Sequence, residues 1–336
     1  TFLLPVLQAL GLISEGSVAV TAILIIAVLT ALNASGVRRG GLAQNVITFV
    51  KVSLIVAVIV MPLVLAGPQF ERLVSASVQS TGSRAALQNV GTAMILCLFS
   101  FSGAYFVTHV AEEVREPEKT IPRAIVVGFL VVLALYLSIN VAYLVTLPFD
   151  EVVKSERIAA DMMGSVLGER GALVTAFVIF CSAIGALNTQ LLSYPRIPFA
   201  LARDGYLFRG IAQVSRRSRA PANAIVLVGG LASIFALTGS YSEILSFVAF
   251  VSHFFICLAV LAVIMLRIRE PDLPRPYRVW GYPLTPVAFL VVSAVYLVNL
   301  LFTRPLGVAV GVAMVLAGLP FYLYWRRGPI GRGQGL

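Results

Sequence analysis

The sequence predicts an all-α, polytopic membrane protein with about nine membrane-spanning helices. Of its 336 residues, 59% are hydrophobic and only 12% are charged, which leaves too little polar surface for a water-soluble domain of this length. The apolar residues form long uninterrupted blocks, and a hydrocarbon core of about 30 Å needs about 20 helical residues to cross it. Because backbone groups in lipid must be paired within their own segment, we expect these blocks to be helices.

The predicted spans cover residues 16–33, 42–66, 90–110, 124–147, 171–192, 222–238, 244–265, 283–302 and 306–324. The acidic segment 148–170, between the fourth and fifth spans, is predicted to hold a short surface helix. Residues 197–202 are apolar and flanked by Arg196 and Arg203, which is typical of an interfacial helix. The Gly-rich end, 326–336, is predicted to be a disordered tail.

Basic residues are distributed unevenly between alternate loops. Eighteen of the 25 Lys and Arg residues fall in one set of loops and six in the other, which places the first set in the cytoplasm. The sequence therefore predicts a multi-pass protein of the cell membrane with a cytoplasmic C-terminus and the lipid bilayer as its surroundings. The net charge of +10 reflects this topology, because the basic residues are spread over short loops, and no nucleic-acid partner is expected.

The residues do not indicate an enzyme, a cofactor or a metal site. Cys97, Cys181 and Cys257 each lie inside an apolar block, without a C-x-x-C spacing, and are expected to be buried thiols. Two histidines on separate spans do not form a cluster with Cys or Asp. A lipid-modifying enzyme or a channel with charged rings or carbonyl filter loops is the alternative, and the sequence contains neither a catalytic cluster nor such rings.

The third span carries an interruption that bears on function. Its centre contains Phe99, Ser100, Phe101, Ser102 and Gly103. Ser and Gly weaken a helix, and a break in the membrane is tolerated only beside a protein-lined cavity, where it offers backbone groups to a polar ligand. The alternative is that these small residues only allow close helix packing. We predict a substrate-binding break.

A lysine and several further polar residues lie within the predicted spans. Lys51 is nine residues past the start of its span, about 14 Å along the helix. Such a charge needs a partner or a water-filled site, so we predict a coupling element, with a static interhelical contact as the alternative. Other polar residues are less specific. Tyr105, His109 and Glu113, at i, i+4 and i+8 on a continuous helix, form a candidate proton path; the alternative is a hydrogen-bonded His109 and a Glu113 wetted at the cytoplasmic surface. Ser182 and Asn188 are candidate site contacts, with interhelical hydrogen bonding as the alternative.

Several segments, in order along nearly the whole chain, resemble the amino acid–polyamine–organocation permeases. The motifs are Asn33-x-x-Gly36-Val37-Arg38, then Gln44-Asn45, Thr48 and Lys51, then Phe99 to Gly103, Glu112-Glu113, Pro117-x-x-x-Ile121-Pro122-Arg123-Ala124, Asn140 to Tyr143, Gly185 to Asn188, Ala202 to Gly205, and Arg275 to Pro283. Each motif is modest alone, and their common order makes the resemblance specific.

The resemblance implies part of a five-plus-five inverted-repeat fold, the LeuT-like fold. The nine spans would be helices four to twelve of twelve, with three helices upstream of Thr1. Within a single transporter domain, 1–336, residues 14–66 would be the last two helices of the first repeat. Residues 88–268 would form the second repeat, and 282–325 two additional helices.

The resemblance also implies secondary active transport of amino acids or related amines by alternating access, with proton symport or exchange. Phe99 would be an aromatic gate, Ser100 to Gly103 the unwound pocket lining, and Lys51 the lysine that takes part in coupling. Tyr105 occupies a position that is acidic in some arginine exchangers, which argues against a dication as the substrate.

Overall fold

The described part of the chain is built from helices. The computed structural model describes residues 15–72, 101, 103–215, 218–238 and 241–326. Two 3-10 turns, Ala111–Glu113 and Arg209–Ala212, accompany the α-helices. In chain order these are α1 (Glu15–Ala34), α2 (Val37–Leu65), α3 (Phe106–His109), α4 (Pro117–Thr146), α5 (Phe149–Lys154), α6 (Ile158–Leu167), α7 (Glu169–Ser193), α8 (Arg196–Arg203), α9 (Ala222–Thr238), α10 (Tyr241–Arg269), α11 (Leu284–Thr303) and α12 (Pro305–Arg326).

The polytopic architecture is confirmed. Eight of the predicted spans coincide with α1, α2, α4, α7, α9, α10, α11 and α12, and the third lies mostly outside the described residues. Six segments of the described chain are long and apolar enough to cross a membrane: Val37–Leu65, Pro117–Thr146, Glu169–Arg203, Val248–Arg269, Leu284–Thr303 and Pro305–Trp325. Large apolar side chains such as Phe49 remain exposed on these helices, as a lipid-facing surface requires.

One set of helix contacts is centred on α7. This helix contacts α1, α2, α3, α6 and α9, while α1 packs on α9 and α2 packs on α4. A Cβ atom on Gly229 of α9 would collide with the Thr30 side chain of α1, so a small residue permits this approach, as is common between helices in membranes. A second set of contacts joins α10 to α11 and α12.

The segment 148–170 contains the predicted surface helix, α5, and in addition a helix that the sequence did not predict, α6. It forms two helices, α5 and α6, and α6 is packed inward: Met162 and Met163 are 0% exposed. They join Val58 and Ile59 of α2 and neighbouring residues of α4 in an apolar cluster. The chain turns at Gly168, where φ is +60°, and α7 then returns directly along α6. The prediction of a surface helix therefore holds for α5, in which no residue is buried, and not for α6.

The predicted interfacial helix at 197–202 is present as α8. The loop that follows reaches the end of α12, where the rings of Tyr206 and Tyr322 stack with centroids 5.6 Å apart. Phe208 meets Trp325 edge-on at 5.1 Å. These contacts join the loop after α8 to the second set of helices. The predicted tail lies outside the described residues except for its first residue, the last of α12.

Candidate functional site

The N-terminal half of α2 lies against α7 at a glycine. A Cβ atom on Gly185 would meet Cγ2 of Ile47 at 2.8 Å, which is closer than side chains approach one another, so the contact requires glycine. Lys51 lies one turn beyond Ile47, on the same side of α2. Gly185 therefore holds the lysine-bearing face of α2 against α7, with Lys51 midway along its helix as predicted.

Two cavities meet at Lys51. One, of about 470 Å³, is lined by Gln44, Thr48, Tyr136 and Ser182 among others. The other has a volume of about 480 Å³. Lys51, Val132 and Thr189 line both. The lysine is half-buried and makes no hydrogen bond or ion pair with any described residue.

The second cavity is bordered by the end of the predicted break. Phe101 and Gly103 line it, together with Phe106 and Gln190. Gly103 has φ +114°, in a region that side chains with a Cβ rarely adopt, and residues 103–105 form turns rather than helix. Phe99, Ser100 and Ser102 lie outside the described residues. The substrate-binding break therefore stays a prediction.

An aromatic wall supports the Phe101 side chain. Its ring lies 4.9 Å from that of Phe129 and 5.4 Å from that of Tyr136, both on α4. The sequence reasoning did not single out Phe129 or Tyr136, since in an apolar span an aromatic residue facing a cavity resembles one facing lipid. Phe129 and Tyr136 can be recognised as cavity residues only once α4 is known to lie beside Phe101.

A chain of side-chain amides ties α1, α2 and α7 together. Asn33 donates to Asn188 Oδ1 at 2.8 Å, and Asn188 donates to Gln44 Oε1 at 2.8 Å. Gln44 in turn donates to Thr189 Oγ1 at 2.7 Å. Asn188 is 0% exposed and lines neither cavity at Lys51. Of the two predicted contacts on α7, Ser182 therefore faces a cavity, whereas the amide of Asn188 serves the interhelical contact.

The candidate proton path does not share one helical face. The helix α3 contains only Phe106–His109, and the 3-10 turn Ala111–Glu113 follows it, so the i, i+4, i+8 pattern expected for Tyr105, His109 and Glu113 is broken. The cause is local, because the Gly103 turn leaves room for a single helical turn before the loop. The ring centroids of Tyr105 and His109 are still 5.8 Å apart. Nδ1 of His109 is buried without a partner among the described residues.

Glu113 is used in an ion pair instead. Arg196, with its side chain only 9% exposed, donates from Nε to one carboxylate oxygen at 2.9 Å and from Nη2 to the other at 3.1 Å. Glu112 forms a second, exposed pair with Arg203, whose hydrogen bonds and charge lower the pKa of Glu112. Together the two pairs join the loop after α3 to α8, across 83 and 91 residues of chain.

The described residues show no metal-binding cluster. No group of three or more His, Cys, Asp or Glu side chains comes together within them. Cys181 and Cys257 are free thiols, and Cys97 lies outside the described part of the chain. The site is therefore defined by one lysine, neutral polar groups and aromatic rings.

These features define a helical, multi-pass membrane protein with solute-sized cavities around a lysine in its core. The comparison with family models assigns the class further. Residues 6–324 match the model described as "Amino acid permease", and the chain belongs to this family. With the family comes the inverted-repeat fold of the permeases, of which this chain is a part.

Curated relatives carry transporter names. The chain is 28% identical over 313 residues to the Homo sapiens cystine/glutamate transporter, covering 90% of the chain and 60% of that protein. It is 27% identical over 295 residues to the Rattus norvegicus b(0,+)-type amino acid transporter 1, covering 88% and 60%. The Homo sapiens Asc-type amino acid transporter 1 is 29% identical over 307 residues, covering 90% and 58%. The chain thus spans about three fifths of the length of these relatives.

Proposed function

We propose that the protein is a secondary active transporter of amino acids or related amines that works by alternating access. The observation that supports this most is the position of Lys51 between two cavities, without a hydrogen-bonding partner among the described residues. A charge in the middle of a membrane helix is costly, and such residues persist where a solute or an ion passes. The names of the relatives agree with amino-acid substrates.

The substrate that suits these cavities is zwitterionic with an uncharged side chain. Their described lining contains Lys51 as its only basic side chain, and it contains no carboxylate. The lysine offers an attractive partner to a carboxylate, whereas a second cationic group on the substrate would face it with the same sign. Phe101, Phe129 and Tyr136 add an aromatic surface for an apolar side chain.

Coupling in this proposal runs through Lys51, by proton symport or by exchange. A lysine that changes protonation or partner during the cycle alters the charge of the cavity, and this links ion movement to substrate movement. Tyr105, His109 and Glu113 are retained as the candidate route to the cytoplasm, although Glu113 must first leave Arg196. The break at Ser100 to Gly103, with Phe99 as gate, is part of the same proposal.

The proposed topology places the protein in the cell membrane with its C-terminus in the cytoplasm. The asymmetry of basic residues between alternate loops supports this orientation. The division into a first repeat ending at residue 66, a second repeat over 88–268 and two additional helices over 282–325 belongs to the same proposal.

Uptake of radiolabelled neutral amino acids by the full-length protein in liposomes tests the function. We expect concentrative or exchange uptake that K51A reduces to the level of empty liposomes. The matched control is K119A, because Lys119 is 64% exposed and, within the described residues, pairs only with Glu116. Uptake driven by an imposed pH gradient indicates symport, and uptake that needs internal unlabelled substrate indicates exchange. Full transport by K51A at every pH would remove the lysine from the mechanism.

A further inference from the structure

A second cavity region, unconnected with the Lys51 site, lies between α10 and α11. Its volume is about 690 Å³. Three arginines line it, Arg267, Arg275 and Arg278, against a single carboxylate, that of Asp272. With these groups ionised, three positive charges against one negative give the lining a net charge of +2. The cavity therefore favours an anion.

Arg275 builds the cavity rather than occupying it. Its guanidinium donates to the backbone oxygens of Pro271 at 2.7 Å and Leu273 at 2.8 Å, and of Leu266 at 3.2 Å and Glu270 at 2.5 Å. Carbonyl groups at the end of a helix lack partners within it, so Arg275 closes the last turn of α10 and folds the loop over it. These hydrogen bonds fix the backbone that carries the other two arginines.

Arg267 and Arg278 are left to bind a ligand. The guanidinium carbon of Arg267 lies 3.8 Å from the centre of the Tyr282 ring. Stacking on a ring face orients the guanidinium plane and leaves its N–H edge for hydrogen bonds with an oxyanion. The turn that brings Tyr282 back over Arg267 passes through Gly281, at φ +64°. Arg278 is exposed and makes no hydrogen bond or ion pair with the described residues.

The residues next to the cavity lining along the chain have the character of a membrane interface. Trp280 is 75% exposed, Leu284 is 74% exposed and Tyr277 is 46% exposed. Exposed aromatic residues beside arginines at the end of a membrane helix are typical of the headgroup level of a bilayer. An anion held here would therefore have acyl chains within reach of Trp280 and Leu284.

We propose that this cavity binds a phosphate group, and that the phosphate is the headgroup of an anionic lipid in the cytoplasmic leaflet. Arg267 and Arg278 hold the phosphate oxygens, while Trp280 and Leu284 contact the glycerol and upper acyl chains. Basic pockets on the cytoplasmic side of membrane helices suit such headgroups. The leaflet follows from the proposed orientation, whereas the binding itself does not depend on transport.

Native mass spectrometry of the detergent-solubilised full-length protein, titrated with phosphatidylglycerol or with phosphatidylcholine, tests the site. We expect phosphatidylglycerol to bind at lower concentrations than phosphatidylcholine. Its affinity should fall about fivefold for each arginine removed in R267Q and R278Q. The matched control is R269Q, which removes the same charge from the same helix end but lies outside the cavity lining. It keeps wild-type affinity.

The outcomes separate the alternatives. Equal weakening by R269Q would overturn the site in favour of a diffuse surface charge. If inorganic phosphate competed for the site at the concentrations at which phosphatidylglycerol binds, the lipid would be overturned as the source of the phosphate. The ligand would then be a soluble phosphate. Unchanged thermal unfolding of R267Q and R278Q shows that a loss of lipid is not a loss of fold. Neither result depends on amino-acid uptake, so failure here and failure of the proposed function are distinguishable.

Discussion

The two ends of α2 are packed differently. Towards the C-terminal end of α2, Val58 and Ile59 join Met162 and Met163 in a cluster that is almost fully buried and entirely apolar. Towards its N-terminal end, the contact runs through Asn33, Gln44 and Asn188. Lys51 and its two cavities lie between them.

This difference separates a fixed end from an adaptable one. Packed apolar side chains lose contacts with any small displacement, so the Met162 cluster resists relative motion of its helices. Amide hydrogen bonds between membrane helices are weaker individually and find new partners after a shift. Asn33 Oδ1 is already buried without a partner among the described residues. We expect α2 to pivot about its apolar end relative to α7.

The largest effect is expected at the apolar end. M162A leaves a cavity at a fully buried position and should lower the free energy of unfolding by about 2–5 kcal/mol. Thermal unfolding in detergent measures it. M265A is the control, because Met265 is 45% exposed on α10 and should change stability little. Equal effects of the two substitutions would contradict the fixed end.

The contact between α2 and α7 that lies between these two ends is tested at Gly185. G185A places a Cβ against Ile47 and should cost about 1–3 kcal/mol. G128A on α4 has open space around the new methyl group and should be neutral or stabilising, since alanine favours a helix. The same unfolding assay compares them. A stable G185A would show that α2 and α7 separate without penalty.

At the polar end, the ion pair of the nearly buried Arg196 is expected to matter most. E113Q removes the charge that compensates Arg196 and should lower stability by about 1–2 kcal/mol. E112Q is the matched control. Its partner Arg203 is half exposed, and exposed pairs contribute little. Unfolding with and without added salt separates the two, because salt screens the exposed pair more strongly. An E112Q effect as large as that of E113Q would be incompatible with this ranking.

The smallest effect is expected within the amide chain. N188L removes the link between Asn33 and Gln44 and should cost about 1 kcal/mol, in the range of hydrogen bonds between membrane helices. N140L is the control, because among the described residues Asn140 bonds only to Tyr136 O of its own helix. A loss comparable to that of M162A would make the polar end as rigid as the apolar one.

The helices were predictable from sequence because lipid imposes one local rule, a long apolar run, on every span. The position of Lys51 was predictable for the same reason. The pairing of Glu113 with Arg196 was not, since it joins residues 83 positions apart and each alone resembles a wetted loop charge. Burial of α6 was missed because a short amphipathic segment looks the same beside a protein as at a surface. Gly103 was singled out, but the short extent of the helix after it was not: α3 ends at His109, before the Tyr105, His109 and Glu113 spacing is complete.

The aromatic contacts between the loop after α8 and α12 provide an intrinsic optical probe. The chain has two tryptophans; Trp280 is 75% exposed, and Trp325 packs against Phe208. In a W280F background, fluorescence would come from Trp325 alone. Any displacement of the α8 loop during turnover would alter the polarity around that indole and hence its emission wavelength. Trp325, on α12, would thus report motion of the loop after α8 without an added label.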